Sequence, residues 1–239
     1  MMLKRAIDIL VSVLVLIFAS PILLGAMFLV WRYDRHSPLY HARRVGKGNH
    51  DFMMIKLRSM TIDAEARGGT STAASDRRIT PAGHMIRRYK LDELSQFWNV
   101  LRGDMSIVGP RPNARDNGVD RYTPEEMRLL SIRPGITDLS SIVFSDEGDI
   151  LTGAADPDAL YDAVIRPWKS RLGLLYVERH TLAMDLRIIW LTAVAIVAKP
   201  VALRGVDAIL AGLGAGDELR AICARTGPPP RGVPPGVPA

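Results

Sequence analysis

The feature that most restricts what this sequence can fold into is an uncharged, mostly apolar run near its N-terminus. Residues 9–31 contain no Asp, Glu, Lys or Arg, and 23 residues of this kind are enough to cross the hydrocarbon core of a bilayer as a helix. A cleaved signal peptide explains the run poorly, because it is too long and no small-residue cleavage site precedes the polar sequence after it. The sequence therefore predicts a membrane anchor over residues 1–35.

The middle of this run carries Ser20 and Pro21. Proline removes an amide donor and clashes with the preceding turn, so a kink or break is expected there. Lys4 and Arg5 precede the run and Arg32 follows it, so positive charge favours the export of neither end. Two topologies remain open: a re-entrant helix-break-helix that dips into one leaflet, and a kinked helix that spans the membrane once.

A second feature is an acidic pair, Asp92 and Glu93, that comes after a basic run containing Arg87 and Lys90. Apolar residues then recur at three-to-four spacing up to residue 101, and Gly103 comes next as a stop signal. This pattern predicts an amphipathic helix that holds the acidic pair in its first turn. The free amides and the positive end of the helix dipole favour a carboxylate or a bound phosphate at that position.

The acidic pair has two interpretations. A carboxylate kept ionised by nearby guanidinium groups can attack phosphorus, and arginines that fork onto the phosphate oxygens stabilise the developing charge. Asp92 would then be a nucleophile. Alternatively, Asp92 and Glu93 only complement a helix N-terminus, which is the commoner role of such a pair. The residues of this stretch alone do not choose between the two.

Further cations flank the acidic pair in the sequence. Lys56 and Arg58 share one face of a predicted strand, where they would approach a nucleotide diphosphate or lipid headgroups, or form a solvated basic edge. Arg111 lies between Pro110 and Pro112 in a stiff turn, which lowers the entropy lost when its guanidinium is positioned. The planar guanidinium suits a phosphate or uridine group. A proline-rich connector with an exposed arginine is the alternative.

The net charge of +6 indicates an anionic partner, which could be nucleic acid, an anionic membrane surface or a phosphorylated substrate. No basic recognition helix or aromatic stacking platform is evident, which argues against nucleic acid. The single cysteine, Cys223, excludes an intramolecular disulfide. The five histidines are scattered without zinc-ligand spacing, which argues against a structural metal.

Several ordered blocks of residues resemble one known family. The longest is the run LDELSQFWNVLRGDMSIVGPRP over residues 91–112, and the others are RVG at 44–46 with Gly48 and Phe52, KLRSM at 56–60, Asp76 with Arg78, Thr80 and Gly83, RPGIT at 133–137, and Asp185-Leu186 with Ile188 and Ile189. Over residues 3–195 this order resembles the bacterial sugar transferase family, the monotopic polyprenyl-phosphate phosphoglycosyltransferases, in a small minimal form. The resemblance implies transfer of a phospho-sugar from a UDP-sugar to polyprenyl (undecaprenyl) phosphate.

With this resemblance we expect an α+β fold that is mainly helical. It implies a re-entrant anchor broken at Ser20-Pro21 over residues 1–35 and a compact catalytic domain with interfacial helices over residues 36–200. One such helix, at 168–179, would lie on the membrane or pack into the core. Residues 201–239 form a Pro/Gly-rich extension expected to be disordered at its end. The protein is placed in the bacterial inner membrane with its catalytic domain on the cytoplasmic face.

The resemblance also assigns roles within the site. Asp92 attacks the sugar-linked phosphate, UMP leaves, and polyprenyl phosphate then displaces the aspartate, so the kinetics should be ping-pong. Glu93 orients the site or assists proton and metal handling, with Mg²⁺ held by Asp92 and Glu93. Arg87 contacts phosphate. Asp104 is a second carboxylate in the site, or it holds its loop together by hydrogen bonds to amides.

Partners and alternatives can be stated from these assignments. The expected partners are the UDP-sugar donor, the polyprenyl phosphate acceptor and the lipid bilayer, together with a homodimer or downstream glycosyltransferases, and no nucleic acid. The alternatives are a membrane-bound glycosyltransferase that releases UDP and a non-catalytic, membrane-tethered anion-binding protein. Asp138 stands where many members of the family have a glycine, and this departure is expected to affect the selection of sugar or lipid.

Overall fold

A computed structural model describes residues 2–64, 71–116, 118–224 and 227–237 of the chain. This part of the chain is mainly helical, as the sequence predicted, with a few short strands. The α-helices are α1 (Met2–Asp34), α2 (Pro81–Arg88), α3 (Leu91–Leu94), α4 (Phe97–Arg102), α5 (Leu139–Val143), α6 (Glu147–Ile150), α7 (Pro157–Val164), α8 (Arg166–Arg179), α9 (Leu182–Val197), α10 (Lys199–Gly212) and α11 (Asp217–Ala224). Short 3-10 helices cover Lys47–Asn49, Val119–Arg121 and Glu126–Ser131.

Two small sheets frame the middle of the described chain. The strands are β1 (Leu39–Val45), β2 (Asp51–Leu57), β3 (Ser106–Val108) and β4 (Gly135–Thr137). β1 and β2 form an antiparallel hairpin, whereas β3 pairs in parallel with β4. Beyond β3, the N–H of Gly109 donates to the carbonyl of Thr137 at 3.0 Å, and the N–H of Gly135 donates to that of Pro110 at 3.0 Å. The parallel pair therefore sets the turn at 109–112 beside the start of α5.

The main core is built around α8. Trp168, Leu172 and Tyr176 repeat at a spacing of four and are fully buried, so they form one apolar stripe on this helix. Ile188 from α9 and Val206 from α10 belong to the same cluster. The sequence left open whether this helix lies on the membrane or packs into the core, and the structure places its apolar face in the core.

The anchor forms one continuous helix. α1 runs from Met2 to Asp34 with Pro21 inside it, so the predicted interruption of the helix at Ser20-Pro21 is not present. The Ser20 hydroxyl donates to the carbonyl of Ile17 at 2.7 Å, which gives the hydroxyl a partner within the helix itself. By length and apolar composition α1 is able to cross a membrane.

Both ends of α1 are bound to the rest of the protein. Near its start, Lys4 Nζ lies 2.6 Å from Asp185 Oδ2, and the buried Asp8 accepts two hydrogen bonds from β3. At its end, both Nη groups of Arg58 donate to the Asp34 carboxylate, at 2.5 and 2.7 Å. A helix of 33 residues is about 50 Å long, so these contacts fix it at two distant points.

Local signals in the sequence correspond to local structure. Gly103 ends α4 with φ +93°, a conformation that glycine adopts without a Cβ penalty. Thr123 and Glu126 form a reciprocal capping box, in which each side chain accepts from the backbone N–H of the other at 3.0–3.1 Å. The stop at Gly103 was predicted from the residues just before it, and that prediction is confirmed.

The C-terminal segment is packed more closely than the sequence predicted. α10 crosses the domain boundary expected at residue 200, and its apolar face joins the main core. Residues 227–237, for which disorder was expected, lie against α8: the Trp168 indole N–H donates to the carbonyl of Pro230 at 2.9 Å, and Arg171 donates to that of Val233 at 3.2 Å. Residues 225, 226, 238 and 239 lie outside the described part of the chain.

Candidate functional site

A large cleft of about 1210 Å³ lies between β2, α3 and the helices α5 to α8. Its basic side is lined by charged residues that come from β2, α2, α3 and the turn after β3. These are Lys56, Arg58, Arg87, Arg88, Lys90, Asp92, Glu93 and Arg111. The structure thus brings together most of the residues that the sequence selected, although they are up to 55 positions apart in the chain.

The acidic pair is presented by the short helix α3. Lys90, immediately before it, has φ +56°, a left-handed conformation that turns the chain sharply between α2 and α3. The Ser95 hydroxyl donates to the carbonyl of Ile55 at 3.1 Å, which ties the end of α3 to β2. Asp92 and Glu93 therefore face the cleft beside the strand that carries Lys56.

Glu93 is fixed by an arginine from the turn after β3. Arg111 Nη2 donates to Glu93 Oε1 at 2.8 Å, and Arg111 Nη1 donates to the carbonyl of Ile136 at 2.8 Å. Burial raises the pKa of Glu93, but the positive charges of Arg111, Lys90 and Lys56 outweigh it and hold the pKa below its ordinary value. Glu93 is therefore an ionised residue with a fixed orientation.

Asp92 differs from its neighbour. Within the described residues its carboxylate has no hydrogen-bonding or ion-pair partner, although the charges of Lys56, Arg87 and Lys90 all act on it. Burial raises the pKa of Asp92 above its ordinary value, and the negative charge of Glu93 adds to this effect against the opposing pull of Lys56. Two adjacent carboxylates whose pKa values are moved in opposite directions are typical of pairs with different chemical roles.

Lys56 lies close to both carboxylates. Burial lowers its pKa to about 8, and the positive charge of Arg111 adds to this shift, whereas Asp92 and Glu93 oppose it. Lys56 is therefore still mostly protonated at neutral pH, but it loses its proton within an accessible pH range. A cation of this kind suits a site that receives phosphate groups.

Arg87 reaches the cleft from the last turn of α2. Its Nε donates to the Ser59 hydroxyl oxygen at 3.0 Å. Burial lowers the pKa of Arg87 from its ordinary value, and the negative charge of Asp92 acts against this shift. Even so, an arginine in a protein stays protonated, so Arg87 contributes a full positive charge beside Asp92.

The remaining predicted residues are placed differently. Arg58 lines the cleft, but both its Nη groups are engaged by Asp34 at the end of α1, so its main contact is with the anchor. Pro112 lines the cleft beside Arg111. Ser20 and Pro21 are in α1, away from the cleft.

Asp104 is not among the residues that line the cleft in the described part of the chain. One of its carboxylate oxygens accepts from the side-chain amide of Asn99 at 3.1 Å. Asn99 in turn bonds the backbone of β2 at Met53 and Ile55. The structure thus corrects the assignment of Asp104 to the site, because its contact supports the loop and not the cleft.

Sequence reasoning missed the far wall of the cleft. Lys169 on α8 forms an ion pair with Glu147 on α6 and lies 5.2 Å above the ring of Tyr161. Asp138 is buried, caps α5 through the N–H of Ser141 at 2.6 Å, and faces the cleft near Arg111. Its departure from the family pattern was visible in the sequence, whereas nothing near Lys169 in the sequence indicated its partner.

The acidic pair offers part of the donor set that a divalent cation needs. Within the described residues, no group of three or more His, Cys, Asp or Glu side chains is arranged to hold a metal ion. Asp92 and Glu93 provide the hard carboxylate oxygens that Mg²⁺ prefers, and Mg²⁺ commonly takes one or two carboxylates together with substrate phosphates. The pair therefore fits a cation that a phosphorylated substrate helps to bind.

Comparison with known proteins gives a consistent result. The bacterial sugar transferase family model matches residues 1–199. The chain is 36% identical over 191 residues to the UDP-N-acetylgalactosamine-undecaprenyl-phosphate N-acetylgalactosaminephosphotransferase of Aeromonas hydrophila, covering 79% of this chain and 42% of that protein. It is 32% identical over 212 residues to the undecaprenyl-phosphate galactose phosphotransferase of Salmonella typhimurium, covering 82% of this chain and 41% of that protein.

A relative of similar size is also known. The exopolysaccharide production protein PSS of Rhizobium leguminosarum bv. phaseoli is 36% identical over 206 residues, covering 82% of this chain and 95% of that protein. The chain thus spans about two fifths of the first two relatives and nearly all of this third one. Residues from 200 onward, which form most of α10, α11 and the C-terminal segment, lie beyond the family match.

Proposed function

This chain belongs to the bacterial sugar transferase family, and we propose that it transfers a sugar 1-phosphate from a UDP-sugar to undecaprenyl phosphate, releasing UMP. The names of the two relatives from Aeromonas and Salmonella describe sugar phosphotransferases that act on undecaprenyl phosphate. The cleft supports the same chemistry in this chain, because it sets an acidic pair among several cations. These two relatives are named for different sugars, so the proposal covers the reaction and not the sugar.

One observation carries this proposal: of the two adjacent carboxylates, one is held by an arginine and the other has no partner among the described residues. Glu93 is bound by Arg111 at 2.8 Å, whereas the carboxylate of Asp92 has no partner among the described residues. A free carboxylate beside Lys56 and Arg87 is available to attack phosphorus, and the cations offset the repulsion between two anions. This contrast supports Asp92 as the nucleophile and Glu93 as the residue that holds Arg111 in place.

The proposed reaction has two displacements at one phosphorus atom. A carboxylate oxygen of Asp92 attacks the sugar-linked phosphorus, the bond to the bridging diphosphate oxygen breaks, and UMP leaves with that oxygen. A phosphate oxygen of the lipid then attacks the same phosphorus, and the bond to Asp92 breaks. Asp92 regains its carboxylate, and the product is a polyprenyl diphosphate sugar.

The protein's own cations have defined parts in this scheme. Arg111 and Arg87 carry positive charge near Asp92 and would contact the phosphate oxygens, and Lys56 adds a third positive charge. Mg²⁺, which we propose as the cofactor, would be held by Asp92 and Glu93 and would neutralise charge on the diphosphate when bound. Pro110 and Pro112 restrict the turn that carries Arg111.

The contacts of α1 support a monotopic placement in the membrane. A helix that crosses a bilayer core of about 30 Å leaves its ends on opposite faces. Here Lys4 and Asp8 at one end, and Asp34 at the other, bind the same group of helices and strands. We therefore propose that both ends of α1 stay on the cytoplasmic face of the inner membrane and that the helix enters one leaflet without crossing to the other.

The experiment that tests the function measures nucleotide release. Purified protein in lipid nanodiscs receives Mg²⁺ and a panel of UDP-sugars, first without acceptor and then with undecaprenyl phosphate. We expect UMP in an amount close to one per protein without acceptor, and turnover once the acceptor is added. Asp92→Asn should abolish both phases. Asp120→Asn removes an exposed carboxylate outside the cleft and should retain both.

The alternatives give different products. Release of UDP in place of UMP would indicate transfer of the sugar without its phosphate and would reject the proposed reaction. UMP that forms only when the acceptor is present would support transfer without a covalent aspartyl intermediate. Binding of UDP-sugar without release of either nucleotide, across the whole panel, would favour a non-catalytic anion-binding protein.

A further inference from the structure

Three of the arginines that line the cleft have a carboxylate as the partner of their guanidinium. Arg58 is bound by Asp34, Arg78 by Asp76, and Arg111 by Glu93, with donor–acceptor distances of 2.5–3.1 Å. Each of these three contacts a carboxylate, which offsets its charge. The guanidinium of Arg87 has a neutral partner instead.

Within the described residues, the side chain of Arg87 makes one hydrogen bond, from Nε to the Ser59 hydroxyl oxygen at 3.0 Å. The Ser59 hydroxyl is neutral, so it holds the guanidinium without cancelling its charge. A guanidinium has five N–H donors in a planar fork. With Nε fixed, the plane of the group is set and the Nη donors remain available for phosphate oxygens.

The fold brings these two residues together through a close approach of backbone. At Gly83 a Cβ atom would lie only 1.9 Å from the carbonyl oxygen of Ser59, so α2 packs against this part of the chain where no side chain intervenes. Arg87 is four residues after Gly83, which places it on the same face of α2 one turn later. That turn sets its Nε over the Ser59 hydroxyl.

Other contacts fix Ser59 itself. The residue is buried, with 7% of its surface exposed. Its carbonyl accepts from the N–H of Thr80 at 3.1 Å and from the Thr80 hydroxyl at 3.4 Å. Ser59 also lies just beyond the end of β2, and both Lys56 and Ser59 line the cleft at that end of the strand. The hydroxyl therefore has little freedom to move with respect to the cleft.

We propose that Ser59 is a positioning residue that orients the Arg87 guanidinium toward the transferred phosphate while leaving its positive charge unneutralised. This inference rests on the proposed function, because it assigns the available Nη donors to the phosphate of that reaction. Ser59 itself does not touch the substrate. Its effect on the reaction passes through Arg87 alone.

The test is a double-mutant cycle on the acceptor-free release of UMP. Ser59→Ala should lower kcat/KM for the UDP-sugar by about tenfold, since one hydrogen bond to a charged group of this strength corresponds to that factor. Arg87→Lys removes the Nε–H that Ser59 binds. In that background Ser59→Ala should have no further effect, because residues that act through one contact are not additive.

Two further variants separate positioning from folding. Ser59→Thr keeps a hydroxyl and should restore most of the activity that Ser59→Ala loses. Thr181→Ala removes the hydroxyl that caps α9 at the N–H of Met184 and contacts neither Ser59 nor Arg87, so it should lower the Tm with kcat/KM near that of the unmodified protein. Melting temperatures of all variants are measured alongside.

The outcomes are distinguishable. Equal losses from Ser59→Ala in the unmodified and the Arg87→Lys backgrounds would overturn the inference, as would full activity of Ser59→Ala. If Ser59→Ala lowered the Tm below the assay temperature, the cycle would be repeated at a temperature below that Tm, and additive losses there would also overturn the inference. Absence of UMP from the unmodified protein would reject the proposed function instead.

Discussion

Arg111 Nη2 lies 2.8 Å from Glu93 Oε1, while the carboxylate of the adjacent Asp92 has no partner among the described residues. This contrast within one turn of α3 divides the acidic pair into a fixed member and a free member. The contact between Glu93 and Arg111 joins α3 to the turn after β3. Arg111 is bound at the same time to the carbonyl of Ile136, which joins that turn to β4.

Glu93→Gln should weaken the reaction without abolishing its first step. The amide keeps the shape of the side chain but loses the charge that holds Arg111, so the arginine is less well oriented on the phosphate. We expect kcat/KM to fall by about 10²-fold, a typical cost of removing one donor that stabilises developing charge. UMP release without acceptor should remain detectable, and its complete loss would instead assign the nucleophile to Glu93.

The rate of UMP release without acceptor should depend on pH at both extremes. Asp92 acts when it is ionised, and its raised pKa means that activity is lost on acidification at a higher pH than for an ordinary aspartate. Lys56 acts when it is protonated, so activity should fall as the pH rises through about 8, the value to which burial lowers its pKa. The measurement is kcat/KM for the UDP-sugar between about pH 4 and 10, which covers both ionisations.

Lys56→Arg provides the control for the alkaline part of this profile. Arginine stays protonated throughout the range, so the decline near pH 8 should disappear while the acidic side is unchanged. A decline that persists in this variant would show that another group is responsible. Omitting the lipid acceptor keeps the ionisation of its phosphate out of the profile.

Gly83→Ala should destabilise the protein. A Cβ at this position would lie 1.9 Å from the carbonyl oxygen of Ser59, and backbone must shift to relieve the clash, at a cost of about 1–3 kcal/mol. The Tm in nanodiscs should fall by several degrees. Gly212→Ala, where no atom lies within 4 Å of the added Cβ, should leave the Tm unchanged or raise it slightly.

Membrane topology is tested by cysteine labelling. Leu3→Cys and Arg35→Cys are introduced separately into a Cys223→Ser background, which removes the single native thiol. In oriented inner-membrane vesicles both positions should react with a membrane-impermeant maleimide from the cytoplasmic face only. Reaction of the two positions from opposite faces would reject the monotopic placement and support a helix that spans the membrane once.

Removing residues 228–239 should destabilise the packing around α8. The truncation takes away Pro230, the acceptor of the Trp168 indole N–H, and leaving a buried donor unpaired costs about 1–3 kcal/mol. We expect a lower Tm and a red shift in tryptophan emission as water reaches the ring. In a Trp168→Phe background the same truncation should give no red shift; a shift there would assign it to another tryptophan.

The sequence by itself determined the local features. The uncharged run from residue 9 predicted α1. The spacing after the acidic pair predicted one helix that Gly103 ends, and the structure divides that helix into α3 and α4. These features depend on contacts within about four positions, so the residues involved are visible side by side. The family signature also placed Asp92, Glu93 and Arg111 in one candidate site before their geometry was known.

Only the tertiary structure decided how distant residues pair. Arg58 binds Asp34, Asp104 supports a loop through Asn99, Lys169 pairs with Glu147, and the C-terminal segment covers Trp168. None of these partners is fixed by periodicity, because several carboxylates and cations in the sequence are chemically equivalent. Packing of α2 on the end of β2 likewise selects Ser59 as the partner of Arg87, through a close contact at Gly83 that no local pattern contains.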